Sequence, residues 1–471
     1  MNRRSFCKTV LITSMSSVVS KFLFLPRAIA SVAASTWSNW SGNVSFTPAR
    51  IFMPDSVEDA ASLITFYKKI RAVGGGHSFS NIVPTHLLIS AKQFKSMKLL
   101  PELGEVEVGS GVTLRELNGY LAKNGFAIPT MGEIDEQTVA GLIATATKGT
   151  GIQFGSFSDE ESFLGVTLID GAGKVRKIDF ADPKQAEIVP ALRTALGAFG
   201  FVVSVRLKVC PTFKLKEIVK LSTLEEAMRP EHYKDNYRYA FYYYPHSKVS
   251  VLRLQNKTNE TISLEKRKQR KKNNVWMENF FANAMLDVAA IAPGTIPQVE
   301  KLFVSKLKGD VYVDQWNEVM TSVRSMKYFE MQYSVPIENL PAAMQACLRV
   351  TEQFAEQGKY YVDLPFFVRF TRGDRGTLIA PSQQQTGDRT EIFAHIDINA
   401  HHAQMGYEDF FRAVEAALLP FGAKPHWGKL FYWEPAREYP NAVKFEKLRK
   451  QFDPEDKFQN AFIKKHFSDI F

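Results

Sequence analysis

Cysteine is scarce in this chain: three in 471 residues, Cys7, Cys210 and Cys347, far apart in sequence. That excludes a disulfide framework and a cysteine-ligated metal centre, and Cys210 and Cys347 read as small apolar core residues. Two phosphate-binding fingerprints are missing as well. No Gly-x-Gly-x-x-Gly opens a helix and no Gly-Lys-Ser/Thr follows a glycine loop, so neither a Rossmann site nor a P-loop is expected. Past the N-terminus no run is long and apolar enough to span a bilayer, and there is no repeat or long low-complexity tract. What remains is a globular composition, 45% hydrophobic, with length for two or three domains. The formal charge of +10 favours anionic partners, but charge bears on association and not on fold, and no nucleic-acid partner is expected.

The N-terminus reads as a targeting segment. Arg3-Arg4-Ser5-Phe6-Cys7-Lys8 precedes an apolar stretch from Val10 to Leu25, interrupted by Lys21, and Ala28-Ile29-Ala30 is a small-x-small cleavage site. The pattern resembles a twin-arginine export signal over residues 1–30, which implies the twin-arginine machinery as a partner and a periplasmic or secreted bacterial protein. An uncleaved anchor or a chance arginine pair is the alternative.

Arg71-Ala-Val-Gly-Gly-Gly-His-Ser-Phe-Ser80 is the most informative stretch. Gly74, Gly75 and Gly76 let main-chain N–H groups close on an anion, and His77 stands at the end of the turn. An ordinary glycine turn between a helix (Val57 to Lys69) and the next strand accounts for the spacing equally well. Met131 to Gly151 is rich in small residues, with Gly141 among Ala140, Ala144 and Ala146, and Thr138, Thr145 and Thr147 adding hydroxyls. A flat ligand or a tight helix seam would both use them.

The two segments, in this order, resemble the FAD-contacting loops of the vanillyl-alcohol-oxidase superfamily. The resemblance implies FAD, held covalently as 8α-histidyl-FAD at His77, with Gly74, Gly75, Gly76, Ser78, Thr138, Gly141, Thr145 and Gly149 around it. Leu196-Gly-Ala-Phe-Gly-Phe-Val-Val-Ser-Val-Arg206, a strand that includes Val203, resembles the segment beside the adenine-ribose. Lys424-Pro-His-Trp-Gly-Lys-Leu430 resembles the His-Trp-Gly-Lys of sugar-1,4-lactone and alditol oxidases. Trp37-Ser-Asn-Trp-Ser-Gly-Asn43 and Asp453-Pro-x-x-x-Phe458-x-Asn460 add to the likeness, which runs from Trp37 to about Phe462.

The implied fold is α+β with two domains. An FAD-binding domain spans 37–211, a substrate or cap domain 212–425, and 426–471 returns to the flavin. Arg369, Lys429 and His426 are the implied catalytic residues, the two cations stabilising negative charge on the reduced flavin and His426 contacting the substrate. The implied reaction takes hydride from a carbinol C–H of a lactone or polyol, with O2 as acceptor. Gly132 falls where oxidases of this group keep a small residue that admits O2.

Two departures stand out. The relatives' pattern is about Pro-Ile-Glu-Val-Arg, whereas this chain reads Pro365-Phe-Phe-Val-Arg369, with Phe367 in the glutamate's place. Either the substrate is less polar or another group supplies the base. Glu391, His395, Asp397 and Asn399 alternate along one strand face, which lines a cavity or meets solvent; His395-x-Asp397 is not expected to hold a metal. Lys148 replaces a histidine of the relatives' Thr-Gly-Thr-His-Gly, either to tune the flavin or to reach phosphate. Finally, the basic run Glu265 to Asn274 reads as a solvated helix end or a contact for an anionic membrane, with Trp276 to Ile291 a cap helix beside it.

Overall fold

The computed structural model describes residues 31–33, 35–273, 282–322, 324–384 and 391–469. The export-signal reading of 1–30 lies outside the described residues. Among them no helix is long and apolar enough to cross a membrane.

The first part of the chain builds two small sheets. One has strand order Ser31–Ala33, Arg50–Phe52, Leu87–Ser90, Arg71–Val73, its last three strands parallel and crossed by the helix Val57–Phe66. The other is antiparallel, in the order Val175–Asp179, Phe163–Ile169, Phe201–Lys208, Glu105–Gly109, Met97–Leu100. The helix Leu114–Lys123 starts at Thr113, which forms a reciprocal capping box with Glu116.

The cap is one eight-stranded antiparallel sheet, ordered Asp310–Gln315, Lys214–Ser222, Val249–Thr258, Arg238–Tyr244, Phe366–Arg372, Ile392–His401, Tyr328–Pro336, Lys424–Pro425. Strand alternation divides its residues cleanly. Met331, Tyr333, Val335, Phe366, Val368, Phe370, Ile396 and Ile398 form a core with Met344, Cys347, Phe410 and Val414 of the helices Leu340–Glu356 and Tyr407–Leu418. The intervening residues, among them Glu330, Gln332, Phe367, Arg369 and Asp397, turn to the opposite face, toward the first domain.

The C-terminal segment packs back on the first domain. Trp427 joins a core with Phe445, Phe462 and Phe467 and donates from its indole N–H to the Ile379 carbonyl at 2.7 Å. Asp453 ends the helix Ala442–Phe452, its carboxylate accepting the N–H groups of Lys457 and Phe458, each at 2.8 Å.

Three readings change in detail. Cys210 is half-buried and not buried like Cys347. The helix read over Trp276 to Ile291 is described only as Ala282–Ile291. The basic run is a helix, Leu264–Asn273, but much of its charge is used internally: Arg267 pairs with Asp314, Arg270 with Glu217 and Lys271 with Glu318. An arginine bonded to a buried carboxylate is a fastener of the cap sheet, and far less positive charge is left for an external anion.

Candidate active site

A cleft runs between the first domain and the polar face of the cap sheet. At one end the strand Arg71–Val73 enters the glycine turn, where Gly76 takes φ +67. A methyl on Gly74 would stand 2.2 Å from Thr138 Oγ1, so the turn and the start of the helix Val139–Ala144 touch because residue 74 has no side chain. The turn is clamped from both sides. Asn39 donates to the Ser78 carbonyl at 2.9 Å and Asn43 to that of Phe79 at 2.8 Å, which gives the Trp-x-Asn-Trp-x-Gly-Asn stretch its purpose. From the C-terminal segment, Phe79 N–H bonds to the Gly428 carbonyl, and Ser80 Oγ to that of Trp427.

His77 stacks on Trp40, ring centres 5.8 Å apart and 23° from parallel. Burial, aided by Lys429 and opposed by Glu136, lowers the affinity of its ring for a second proton. A neutral imidazole keeps a nucleophilic nitrogen lone pair, which a covalent bond to a ligand requires.

Mostly small residues line the middle of the cleft: Ala140, Gly141, Ala144, Thr145 and Thr147, with Gly197 and Gly200. Ser110 Oγ lies there too, buried and without a hydrogen-bond partner. The far end is the cap sheet. Arg369 donates through Nη1 to the Lys148 carbonyl at 2.8 Å and through Nη2 to Asp397 at 2.7 Å, while its buried Nε has no partner. Gln332 Oε1 and Asn399 Oδ1 are likewise buried and unpartnered. A buried polar atom left unbonded costs about 1–3 kcal/mol, so such atoms along one cleft mark where a polar ligand's atoms belong.

The turn 426–430 hydrogen-bonds to the strand Tyr328–Pro336, His426 N–H to the Gln332 carbonyl and Leu430 N–H to that of Glu330, each at 2.9 Å. Lys429 forms an ion pair with Glu330, and its ammonium lies 4.7 Å from the Phe79 ring centre. His426 is held neutral, by burial first and then by Lys148, Lys429 and Arg369. Its Nδ1 accepts the Gly428 N–H at 3.0 Å, so the remaining proton sits on Nε2.

Thus Gly74, Gly75, Gly76, His77, Ser78, Thr138, Gly141, Thr145, Arg369, His426 and Lys429 share the cleft. Gly149 and Val203 do not line it. A methyl on Gly149 would meet the Met131 carbonyl at 2.5 Å, so that glycine serves the passage of one chain segment past another. Val203 packs its side chain into the core behind the first sheet, and its carbonyl holds the N–H of Ser110 at 2.9 Å; Val202 lines the cleft in its stead. Of the alternating strand, Asp397 and Asn399 face the cleft, whereas His395 lies buried behind it, between Ser334 (2.9 Å) and Thr371 (2.7 Å). Lys148 does line the cleft, and its buried ammonium bonds to Ser334 of the cap at 3.0 Å. The grouping of metal-capable side chains among the described residues is Asp287, His401 and His402, and it does not include Asp397.

Residues not anticipated are Glu330, Gln332, Tyr328, Tyr242, Arg324 and Glu133. For the first three a signal existed, since Tyr328-x-Glu330-x-Gln332-x-Ser334 alternates polar residues with Phe329, Met331 and Tyr333.

The family described as D-arabinono-1,4-lactone oxidase matches residues 205–466, and an FAD-binding domain matches residues 48–179. An L-gulono-1,4-lactone dehydrogenase of Mycobacterium tuberculosis is 27% identical, covering 91% of this chain and 98% of that protein. An L-gulonolactone oxidase of Bos taurus is 26% identical over 92% of this chain and 98% of its own. A D-arabinono-1,4-lactone oxidase of Saccharomyces cerevisiae is 24% identical over 84% of each. Among solved structures, cholesterol oxidase from B. sterolicum superposes with a TM-score of 0.78 at 14% identity, over 94% of this chain and 98% of that one, a likeness of fold.

Proposed function

Since the chain belongs to the D-arabinono-1,4-lactone oxidase family and carries its FAD-binding domain, we propose that it oxidises a carbinol of a sugar-1,4-lactone or polyol, with O2 as the final acceptor. The observation that carries this reading is the cleft itself, which joins a glycine turn bearing His77 to a polar sheet face bearing Arg369, Lys429 and His426. The cleft fits FAD: the glycine turn leaves no room for a side chain, small residues line the middle, and Ser110 and Arg369 present unpartnered polar atoms. When bound, FAD supplies the acceptor for the hydride and delivers the electrons to O2, giving H2O2. Arg369 and Lys429 are fixed cations, already oriented by their carboxylate partners, that stabilise negative charge gathering beside them. His426 offers an Nε2–H to a substrate hydroxyl.

His77 is proposed to hold the cofactor covalently. Denatured wild-type protein should keep its flavin spectrum, while denatured His77→Ala should release its colour into the filtrate; release from both would refute the linkage.

Gly132 bears on the acceptor. A methyl there would meet only the Lys148 carbonyl, at 3.4 Å, an ordinary contact, so Gly132→Ala should fold and place the methyl in the cleft. Reoxidation by O2 should slow by about tenfold or more, at least ~1.4 kcal/mol in the barrier, with turnover on an artificial acceptor unchanged. Unchanged reoxidation would show that O2 approaches elsewhere.

A less polar alcohol is the second reading, and a specific contact favours it: Phe367 stacks on Tyr242 with ring centres 4.4 Å apart and 15° between planes, in a cleft that Met326, Leu364 and Pro365 also line. A peroxide assay across aldonolactones, alditols and apolar alcohols decides between the two. Silence across all of them would favour a low-turnover flavin-binding protein with a surface role, although the internal pairing of the basic helix leaves that role little charge. Export by the twin-arginine route is proposed from the N-terminal pattern. Cleavage after Ala30 would retain the strand Ser31–Ala33, which pairs with Arg50–Phe52, and N-terminal sequencing of the exported protein tests it.

A further inference from the structure

The row of the cap sheet that crosses the cleft reads Tyr242, Phe367, Asp397, Gln332, each residue paired in register with the next. All four line the cleft. Position 367, whose side chain would be a carboxylate in the pattern Pro-Ile-Glu-Val-Arg, holds a ring stacked on Tyr242. The residue directly across from it on the neighbouring strand is an aspartate, at the spacing of about 5 Å that separates cross-strand Cβ atoms. Its Oδ2 accepts from Arg369 Nη2 at 2.7 Å, and its Oδ1 accepts from Gln332 Nε2. The carboxylate–guanidinium pair is therefore present, with the carboxylate moved over by one strand and the arginine left in place.

We propose that Asp397 is the base of this site, taking the hydroxyl proton of the substrate carbinol and doing from the strand Ile392–His401 what position 367 no longer can. This rests on the function proposed above. The substrate O–H bond breaks and a carboxyl O–H forms on Asp397, while the carbinol C–H electron pair leaves as the hydride that the bound FAD accepts. Each carboxylate oxygen accepts one hydrogen bond in the structure, which leaves lone pairs for the proton.

The other ionisable groups are otherwise engaged. Glu133 is gripped by Arg253 and Arg324 and held down to about 2, which makes it a poor base. Glu330 is bound by Lys429 and sits in the next row, paired with Asn399. Lys148 donates to Ser334. The groups that face Asp397 are Arg369, Lys148 and Lys429, all cationic, with Glu330 and Tyr328. Burial, reinforced by Glu330 and opposed by Arg369 and Lys429, pushes its carboxyl up to about 6, near enough to neutrality for a base that must both accept and return a proton.

The test follows anaerobic flavin reduction by the best substrate of the panel above, as a function of pH. In the wild type the rate should rise with pH through a step near 6 and then level, because only the ionised form accepts the proton. D397N, with FAD still bound, should be slower by about 10²- to 10³-fold and lack the step, as loss of a general base requires. D397E should keep the step. D397N/F367E, which returns a carboxylate to the other strand, should regain about tenfold or more of the lost rate. Independently of turnover, the infrared carboxyl band of the wild type should titrate near 6 and that signal should be missing from D397N. D397N reduced at the wild-type rate, or a step that survives in D397N and vanishes in E330Q, would overturn the inference. A wild type that takes up flavin but is reduced by no lactone, alditol or apolar alcohol would instead contradict the proposed function, and the inference with it.

Discussion

Arg369→Met is expected to slow flavin reduction by substrate about 10²- to 10³-fold, the usual loss when one preorganised donor is removed from a developing charge. Arg369 does three things at once. It bonds the Lys148 carbonyl, it bonds Asp397, and it keeps a buried Nε without a partner. A lysine has one terminal nitrogen and lacks the planar fork, so Arg369→Lys should recover little of the rate. The methionine variant also leaves Asp397 buried without its cation, which costs about 3–5 kcal/mol when a buried pair is broken from one side. A carboxyl whose folded pKa lies above its unfolded value loses folding stability as pH rises between the two. Removing Arg369 raises the folded value further, so the variant's loss in thermal stability should be larger at pH 8 than at pH 5. Wild-type kinetics in Arg369→Lys would show that a single positive charge suffices and that the fork has no part in the reaction.

Gly74→Ala is expected to give a folded but colourless protein. The added methyl would stand 2.2 Å from Thr138 Oγ1, 3.3 Å from its Cβ and 3.4 Å from its Cγ2, so even with the hydroxyl turned away the contact with Cβ stays tight. The glycine turn must then move away from the helix Val139–Ala144, and forced overpacking of this kind costs about 1–3 kcal/mol. That displacement separates two walls that have to close on the same ligand. Gly74→Ala/Thr138→Ala removes the collision and should regain flavin, whereas a flavin content in Gly74→Ala equal to the wild type would show that the two walls do not cooperate in binding.

The contact between Gly74 and Thr138 illustrates what the sequence makes legible. Both segments are recognisable from composition, because close approach demands glycine and alanine wherever it occurs. Strand alternation is equally readable: it assigns Asp397 and Asn399 to one face of Ile392–His401, and the same rule applied to Tyr328–Pro336 points to Glu330 and Gln332. Alternation names a face without naming what the face meets. His395 shares the face of Asp397, yet it is covered by Ser334 and Thr371 and never reaches the cleft.

What the sequence leaves unread has the same origin in long-range pairing. Lys429 finds Glu330 because residues 426–430 hydrogen-bond beside a strand about a hundred positions earlier, and no local pattern encodes that meeting. Val203 and Gly149 sit in segments that do approach the cleft, but within a segment the choice of which side chain turns inward depends on register. The strand Phe201–Lys208 carries an irregularity in its pairing with Phe163–Ile169, between Thr167 and Leu168, close to Val202. The basic helix looks like a free charge run in sequence because its partners, Glu217 and Asp314, come from other strands.

The central claim is that this cleft passes hydride from a sugar-lactone carbinol to bound flavin. Anaerobic addition of an aldonolactone to the purified yellow protein, followed by air, tests it most directly. The account predicts that the flavin absorbance bleaches, and that air restores it with release of one H2O2 for each flavin reduced. Protein that folds without flavin, or flavin that aldonolactones and alditols leave oxidised while an apolar alcohol bleaches it, would contradict the account.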